Sequence, residues 1–418
     1  MRGFKPVSPN LRIAAAVLFL AVPSIAALRA AAVAQARPSQ SPPATASSRL
    51  FQSLAAQANA ARDAQDFDKA VPLFRKALTL QPTWAEGWWS LGTLYYDNNR
   101  YALAASAFQK VIALDPRQGT AHAMLGLCQF ELGQDASALR NIEVSKSLGI
   151  DEDPQLRQVV LYHEGVLLQR AGRFEGAQMA LSSLCLSGVK SEELTQTFGM
   201  VALRMRDTEP PAAGSTSAEV VAHLGRGACL TAQKDYAAAR QEYEFVIANY
   251  PHYPYAHYAY GRSLLDAHDI ANAVREFQRE IAEAPNSVLP RLQIAAAEYK
   301  VDSAAGLPYA EEAVRIAPQM PFAHYLLGLL LLDKGEYQKA IPELEIAQKA
   351  FPKETRLYWS LSAAYAHVGR PQDAARARAA FARLSQAAGK ESGSAQGQSE
   401  DAAPQMEMTD GPDATPKH

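Results

Sequence analysis

The chain has 418 residues, of which 48% are hydrophobic and 20% charged, and its formal net charge is -2. This near-neutral balance argues against general nucleic-acid binding, which requires a basic face. Three cysteines, Cys128, Cys185 and Cys229, are too few and too widely spaced for a disulfide framework or a zinc site. We expect small buried thiols at these positions, with a regulatory disulfide as the alternative.

The first residues have the pattern of a secretory signal peptide. Basic residues precede an apolar run over 13–28 that contains Pro23, and small residues follow it at 32–36. The run is short for a membrane span, which needs about 20 residues. We therefore predict a signal peptide over 1–34 and a bacterial protein that is periplasmic or secreted. The alternative is an inner-membrane anchor formed by an uncleaved 13–28 segment.

A 34-residue pattern of small and large residues recurs along most of the chain. The clearest unit begins at Pro321 and has Gly328 at its eighth place, Ala340 at its twentieth and Pro352 at its thirty-second. Small residues at the eighth and twentieth places allow two antiparallel helices to approach closely. The proline lacks a hydrogen-bond donor and ends the second helix. The pattern therefore predicts a series of helix-turn-helix units.

This pattern resembles the tetratricopeptide repeat, a helix-turn-helix unit of 34 residues. The resemblance covers most of Leu50–Gln386, and spacing and residue type recur together. It implies an all-α fold, a right-handed α-solenoid of about nine helix-turn-helix repeats in two blocks.

The composition of the connecting segments divides the chain into further parts. A linker rich in Pro, Ser and Ala over 35–49 is predicted to be disordered. Four repeats form a first block over 50–191, and five form a second block over 220–388. Between them, 192–219 is predicted to be a half-repeat helix followed by a hinge loop with two prolines and a glycine. The tail over 389–418 is predicted to be acidic and disordered.

The sequence contains no motif that indicates catalysis. Four histidines fall at the fourth place of different repeats, where side chains pack between helices: His122, His223, His257 and His324. Their spacing does not bring them together on one ion. Haem-attachment, phosphate-loop and nucleophile-elbow motifs are absent from the sequence. We therefore predict no catalytic residue, no metal site, no cofactor and no enzyme activity.

The resemblance implies that the first helix of each repeat lines a concave face. Carried over place by place, it puts an aromatic and aliphatic stripe on that face, consisting of Trp89, Tyr96, Phe130, Tyr255, Tyr258, Arg262, Phe322, Tyr325, Leu329 and Trp359. Apolar residues on a solvent-facing surface indicate a binding partner. The alternative is that tight curvature of the array buries some of these residues against the neighbouring repeat.

Two residues of the tyrosine-rich segment 250–260 are the best candidates for a recognition patch. Tyr255 and Tyr258 lie three residues apart and are expected to point the same way on one helix. The family's clamp of lysines and asparagines for a chaperone's C-terminal carboxylate has no counterpart here, because no fifth-place residue is a lysine.

These observations predict a non-enzymatic protein–protein interaction scaffold of the bacterial cell envelope. It would bind a peptide or protein segment in the concave groove, and it would not bind nucleic acid. It would contact a membrane only if the N-terminal segment is retained. Two alternatives stay open, a glycan- or peptidoglycan-associated envelope assembly factor and a purely structural spacer. The partner's identity and the oligomeric state are also open.

Overall fold

The computed structural model describes residues 46–150, 153–207, 209–299 and 301–391, with side-chain surroundings described through 387. The predicted signal peptide, most of the predicted linker and most of the predicted tail lie outside the described residues. Every regular element in these ranges is an α-helix, which confirms the predicted all-α fold. No helix within them is long and apolar enough to cross a membrane.

Two compact units divide the chain between Leu167 and Leu168. The helices of the first unit are α1 Ala46–Asp63, α2 Phe67–Leu80, α3 Ala85–Asp97, α4 Tyr101–Leu114, α5 Gly119–Glu131, α6 Asp135–Leu148 and most of α7 Pro154–Arg170. Helix α1 begins inside the predicted linker, so residues 46–49 are helical rather than disordered.

The second unit contains the remaining helices. They are α8 Phe174–Leu186, α9 Glu192–Ala202, α10 Thr216–Ala232, α11 Tyr236–Asn249, α12 Ala256–Asp266, α13 Ile270–Glu283, α14 Leu289–Glu298, α15 Ser303–Ile316, α16 Pro321–Asp333, α17 Tyr337–Ala350, α18 Thr355–His367 and α19 Pro371–Glu391. This order corresponds to the nine predicted helix-turn-helix units plus the single helix α9. Helix α19 continues to Glu391, just beyond the predicted start of the tail.

Glycine at the eighth place brings the two helices of a repeat into contact. A Cβ atom built on Gly92 would lie 2.9 Å from the ring of Phe108, and one built on Gly328 would lie 2.6 Å from the side chain of Leu344. The same contact between residues sixteen apart occurs at Gly126 and Ile142, Gly227 and Tyr243, and Gly261 and Phe277. The twentieth-place alanine Ala340 is fully buried beside it. The predicted role of small residues at these two places is confirmed.

A ring at the fourth place of a repeat bonds to the carbonyl of the proline that closed the preceding repeat. The ring nitrogen or hydroxyl and the carbonyl oxygen are 2.8–3.3 Å apart in five pairs: Trp88 and Pro82, His122 and Pro116, His257 and Pro251, His324 and Pro318, and Tyr358 and Pro352. This bond satisfies a backbone acceptor at the end of a helix, where no intrahelical donor remains. The histidines are therefore structural in these repeats, as the sequence predicts.

The turn between the two helices of most described repeats contains one residue with a left-handed backbone. This residue occupies the fifteenth place in eight repeats, at Gln65, Asn99, Gly133, Gly172, Lys234, His268, Gly335 and Gly369. Glycine adopts positive φ without steric cost, and the four other residues accept a strained conformation to close the same turn.

Helices α9 and α10 form a pair that differs from the regular repeats. A Cβ atom on Gly199 would lie 1.9 Å from the carbonyl oxygen of Val221, and one on Gly225 would lie 1.9 Å from that of Thr195. The contacts run in opposite order along the two helices, so the pair is antiparallel and packs backbone against backbone. The predicted half-repeat helix is therefore packed against the next helix. The predicted hinge at the intervening loop stays a prediction.

Candidate functional site

The predicted groove residues lie at very different depths in the structure. Six are buried, namely Phe130, Tyr255, Tyr258, Phe322, Tyr325 and Leu329, whereas Trp89, Tyr96 and Arg262 are half-buried and Trp359 is 59% exposed. A continuous exposed stripe along the first helices is therefore absent from the described residues. The alternative interpretation, burial against the neighbouring repeat, describes these six residues. A binding role for these ten residues stays a prediction.

Contacts between the first helices of different repeats contribute to this burial. Gln293 on α14 donates from Nε2 to the hydroxyl of Tyr258 on α12 across 3.3 Å. Arg356 on α18 lies two repeats beyond Tyr299, which follows α14, and donates to its hydroxyl across 3.3 Å. The fifth-place side chain of Tyr258 therefore extends onto the next repeat rather than into solvent, and the fifth-place Tyr325 has no exposed surface.

The tyrosine-rich segment is a structural junction in this fold. Tyr255 has a left-handed backbone with φ of 63° and precedes α12 directly. The carboxylate of Glu280 accepts the backbone N–H groups of Tyr255 and Tyr258 at 3.0 and 3.1 Å. Burial raises the pKa of Glu280, although the two N–H groups favour its charged form. Tyr255 and Tyr258 are both buried around this carboxylate, and their role in recognition stays a prediction.

A small cleft with a cavity volume of about 50 Å³ opens in the second unit, where α9 interrupts the regular repeats. Its apolar walls include Phe174 from α8, Phe198 and Val201 from α9, and Ala228 from α10. Its mixed apolar and polar lining is typical of ligand sites in proteins, although its volume is well below the several hundred Å³ that such sites usually have. Among the predicted groove residues, it brings together Tyr258 and Arg262, joined by residues that the repeat pattern does not include.

Arg204 lines this cleft and has a strained backbone conformation. Its backbone is left-handed, with φ of 56°, at the end of α9 where glycine is the usual residue. The guanidinium donates to Glu175 Oε1 across 2.9 Å and lies 4.6 Å from the ring centre of Phe174 and 5.9 Å from that of Tyr258. Strained non-glycine residues cluster at functional sites, where the surrounding packing maintains them.

Arg262 on α12 is the second guanidinium of the cleft, and its surroundings differ. Its Nη2 atom lies 3.4 Å from Gln178 Oε1, and Tyr258, Glu175 and Asp266 are near enough to raise its pKa. Within the described residues it forms no ion pair with a carboxylate. Asp266 stands at the rim, and desolvation by the surrounding walls raises the pKa of its carboxyl group.

Three hydroxyl groups also line the cleft. Thr231 Oγ1 and Ser263 Oγ are 2.6 Å apart, and the hydroxyl of Tyr243 lies beside them. Burial raises the pKa of Tyr243, so this hydroxyl stays protonated at neutral pH. Thr231 and Ser263 satisfy one another, so these hydroxyl groups form a neutral part of the lining.

A disulfide bond joins two helices that form walls of the cleft. Cys185 on α8 is bonded to Cys229 on α10, with a Cα–Cα distance of 5.4 Å and a sequence separation of 44. The expectation of a free buried thiol is therefore wrong for these two cysteines. It is confirmed for Cys128, where burial raises the pKa of the thiol to about 12.

Comparison with protein families identifies the repeats. A family model described as "Tetratricopeptide repeat" matches residues 55–118, 90–141, 230–288 and 325–390, which together make up just over half of the chain. The chain belongs to the tetratricopeptide repeat family. The stretch that contains α8, α9 and most of α10 falls between the second and third matches, so the tetratricopeptide pattern is interrupted where the cleft lies.

Individual relatives of this tetratricopeptide protein are distant. Superkiller protein 3 of Schizosaccharomyces pombe is 26% identical over 303 residues, which are 67% of this chain and 19% of that protein. The chain therefore spans about a fifth of the length of this relative.

Solved structures with a similar arrangement include a crystal structure of MamA. It is 21% identical, with a TM-score of 0.37, over 39% of this chain and 96% of that one. Yeast Tom70 is 12% identical, with a TM-score of 0.32, over 81% of this chain and 85% of that one. The Cut9–Hcn1 complex of the APC/C gives 13% identity and a TM-score of 0.32 over 80% of this chain and 87% of that one.

Sequence reasoning found Tyr258 and Arg262 but missed the other residues of the cleft. Arg204 and Phe198 belong to the half-repeat, which the family pattern does not describe. The signal that could have found them is the interruption itself. Because α9 has no second helix in its own repeat, the neighbouring first helices lack the packing contact that such a helix makes in a regular repeat.

Proposed function

We propose that this tetratricopeptide protein is a non-enzymatic scaffold that binds a protein segment at the cleft between α8, α9, α10 and α12. Repeat arrays of this kind present extended surfaces to their partners. The observation that carries the proposal is the buried Arg204 with its left-handed backbone, which closes a cleft at the one irregular helix of the described residues. The residues of the regular repeats are largely used for packing between repeats.

We further infer that the protein works outside the cytoplasm, in the bacterial cell envelope. Two independent observations support this inference. The N-terminal sequence has the pattern of a signal peptide, and Cys185 and Cys229 are joined in a disulfide. Disulfides persist in secreted and periplasmic proteins and are rare in the cytosol. Fractionation of the cell, with the N-terminal residue of the purified protein determined by sequencing, tests the location.

Site-specific photo-crosslinking in living cells tests the cleft. A photoreactive phenylalanine derivative replaces Gln178, which lines the cleft from α8. In the matched control it replaces Met179, which is the next residue of the same helix and is 67% exposed. We expect a defined partner protein to be crosslinked from position 178 and not from 179.

Two other outcomes would favour the alternatives. Equal crosslinking from both positions would mean that the cleft has no special role. No protein crosslink from either position would favour a structural spacer. Retention of the protein on isolated cell wall would favour a glycan-associated factor.

A further inference from the structure

We propose that His257 and His324 form pH-dependent links between successive repeats of the second unit. Each ring holds a proton on both nitrogens in the folded protein, and loss of one of these protons at higher pH weakens the link. This inference does not depend on the proposed function, because it concerns two buried side-chain pairs of the regular repeats rather than the cleft.

The first step is the proton on Nε2. This atom lies 3.0 Å from the carbonyl oxygen of Pro251 in His257 and 2.9 Å from that of Pro318 in His324. A carbonyl oxygen has no hydrogen and can only accept, so the ring nitrogen must donate. The indole N–H of Trp88, which can only donate, makes the same bond at the same place of another repeat.

The second step is the proton on Nδ1. Nδ1 of His257 is 2.7 Å from Glu276 Oε2, and Nδ1 of His324 is 2.5 Å from Glu343 Oε2. A lone pair on the nitrogen would repel the carboxylate oxygen at these distances, so a proton lies between the two atoms. Because Nε2 is already protonated, each pair holds one proton more than a neutral imidazole and a carboxylate together would.

Both pairs are shielded from water. The side chains of His257 and Glu276 are 7% and 9% exposed, and those of His324 and Glu343 are 7% and 22% exposed. Among the described residues, Glu343 is the charged group that contacts His324. Release of the proton would leave a buried carboxylate oxygen facing a lone pair, with little water to replace the lost hydrogen bond. The folded protein therefore keeps this proton at a pH at which the unfolded chain has released it.

The charged groups of α13 that surround His257 act in the same direction. Arg279 donates from Nη1 to Glu276 Oε1 across 2.6 Å, which favours the charged form of this carboxylate. Glu280, one turn further along the helix, is also buried and interacts electrostatically with His257. Glu283 at the end of α13 is exposed and paired with a histidine of the preceding loop. A second buried carboxylate next to the pair favours a positive charge on the ring.

The two protons of each ring join two repeats. The proline carbonyl lies at the end of the preceding repeat, after α11 or α15, whereas the carboxylate lies on the second helix of the ring's own repeat, α13 or α17. A neutral imidazole can donate to only one of these two acceptors. A rise in pH therefore weakens the attachment of α12 to the end of α11 and of α16 to the end of α15.

Urea denaturation of the full chain at pH 7 and pH 8 tests this consequence. The ordinary pKa of histidine is about 6.5. Above it the unfolded chain binds fewer protons than the folded one, so stability falls as the pH rises, and the unfolding equilibrium constant increases by about tenfold per pH unit for each pair. The double variant Glu276→Gln/Glu343→Gln should lack this increase. Glu242→Gln is the matched control and should keep it, because Glu242 accepts from His223, whose other ring nitrogen has no acceptor among the described residues.

Nitrogen-15 NMR of the histidine rings tests the protons directly and does not depend on the folding of the double variant. At pH 8 we expect the signals of an imidazolium ion from His257 and His324, each assigned through its loss in the corresponding His→Phe variant. His122 is the internal comparison, because its Nδ1 faces the amide oxygen of Asn141 at 3.1 Å instead of a carboxylate. It should give the signals of a neutral ring.

Neutral rings at both positions at pH 8 would overturn the proposal. So would an unfolding constant that depends on pH as strongly in the double variant as in the wild type. Loss of the pH dependence in Glu242→Gln would contradict it as well, because it would show that the extra proton does not require the bond to the proline carbonyl.

Discussion

Arg204 donates from Nη1 to Glu175 Oε1 across 2.9 Å and so ties the end of α9 to the first turn of α8. The two side chains are 3% and 15% exposed, so the pair is shielded from solvent. The other carboxylate oxygen, Oε2 of Glu175, is buried without a hydrogen-bond partner in the described residues. Removal of one member of such a pair leaves an uncompensated buried charge, which costs more than the pair itself contributes.

We predict that Arg204→Met lowers the free energy of unfolding by about 3–5 kcal/mol, because it leaves Glu175 charged and buried. The double variant Arg204→Met/Glu175→Gln should recover a large part of this loss. Urea denaturation followed by circular dichroism measures both. Arg226→Met is the control, since its pair with Glu242 is partly exposed and should cost about 1 kcal/mol or less. Equal losses at Arg204 and Arg226 would contradict the buried pair.

The disulfide makes a second prediction about stability. The loop between Cys185 and Cys229 spans 44 residues and includes α9. Closure of a loop of this length lowers the entropy of the unfolded chain, which corresponds to about 4 kcal/mol in the chain-entropy estimate. The double variant Cys185→Ser/Cys229→Ser should therefore unfold at a clearly lower urea concentration. A stability that is unchanged by reduction or by this variant would show that the bond does not form.

A count of reactive thiols checks the same assignment independently. Cys128 is buried and its thiol pKa is raised to about 12, so almost no thiolate is present at pH 8. We expect an aromatic disulfide reagent to find no thiol in the native protein, one after unfolding, and three after unfolding with prior reduction. Three thiols in the unfolded but unreduced protein would rule out the Cys185–Cys229 bond.

The repeat packing could be predicted from the sequence because each place has its partner within the same 34 residues. Gly328 and Leu344, for example, are sixteen residues apart and touch as the spacing requires. The complete burial of the Tyr325 side chain could not be predicted in this way. It depends on how closely the first helices of neighbouring repeats lie, and no residue of its own repeat sets that distance.

The contacts around the cleft were even harder to predict from the sequence. Cys185 and Cys229 pair because α8 and α10 approach each other beside α9, and no regular spacing in the sequence indicates such a contact. Arg204 has a left-handed backbone in the half-repeat, which the family pattern does not describe. The predicted interruption at 192–219 stays a prediction, and the cleft at α9 was not predicted from the sequence.

The close approach of α9 and α10 at Gly199 leads to a prediction about stability. A Cβ atom there would lie 1.9 Å from the carbonyl oxygen of Val221, a backbone atom that cannot rotate away. Gly199→Ala should separate the two helices and cost about 3 kcal/mol or more of unfolding free energy. Gly133→Ala is the control, because nothing lies within 4 Å of the added carbon and only its positive φ is strained. That strain costs about 1–2 kcal/mol. A smaller loss at Gly199 than at Gly133 would contradict the close approach.

The fourth-place histidine of α16 should stabilise the fold through its hydrogen bonds as well as through the packing of its ring. His324 is 5% exposed, and its two ring nitrogens lie 2.5 Å from Glu343 Oε2 and 2.9 Å from the carbonyl oxygen of Pro318. His324→Phe keeps an aromatic ring but leaves both acceptors unpaired, so we expect a loss of about 2–4 kcal/mol in urea denaturation. Trp88→Phe removes a single bond, to the carbonyl of Pro82, which is exposed to water and can be rehydrated. It should cost about 1 kcal/mol, and a loss as large as that at His324 would indicate that ring volume, rather than hydrogen bonding, decides this position.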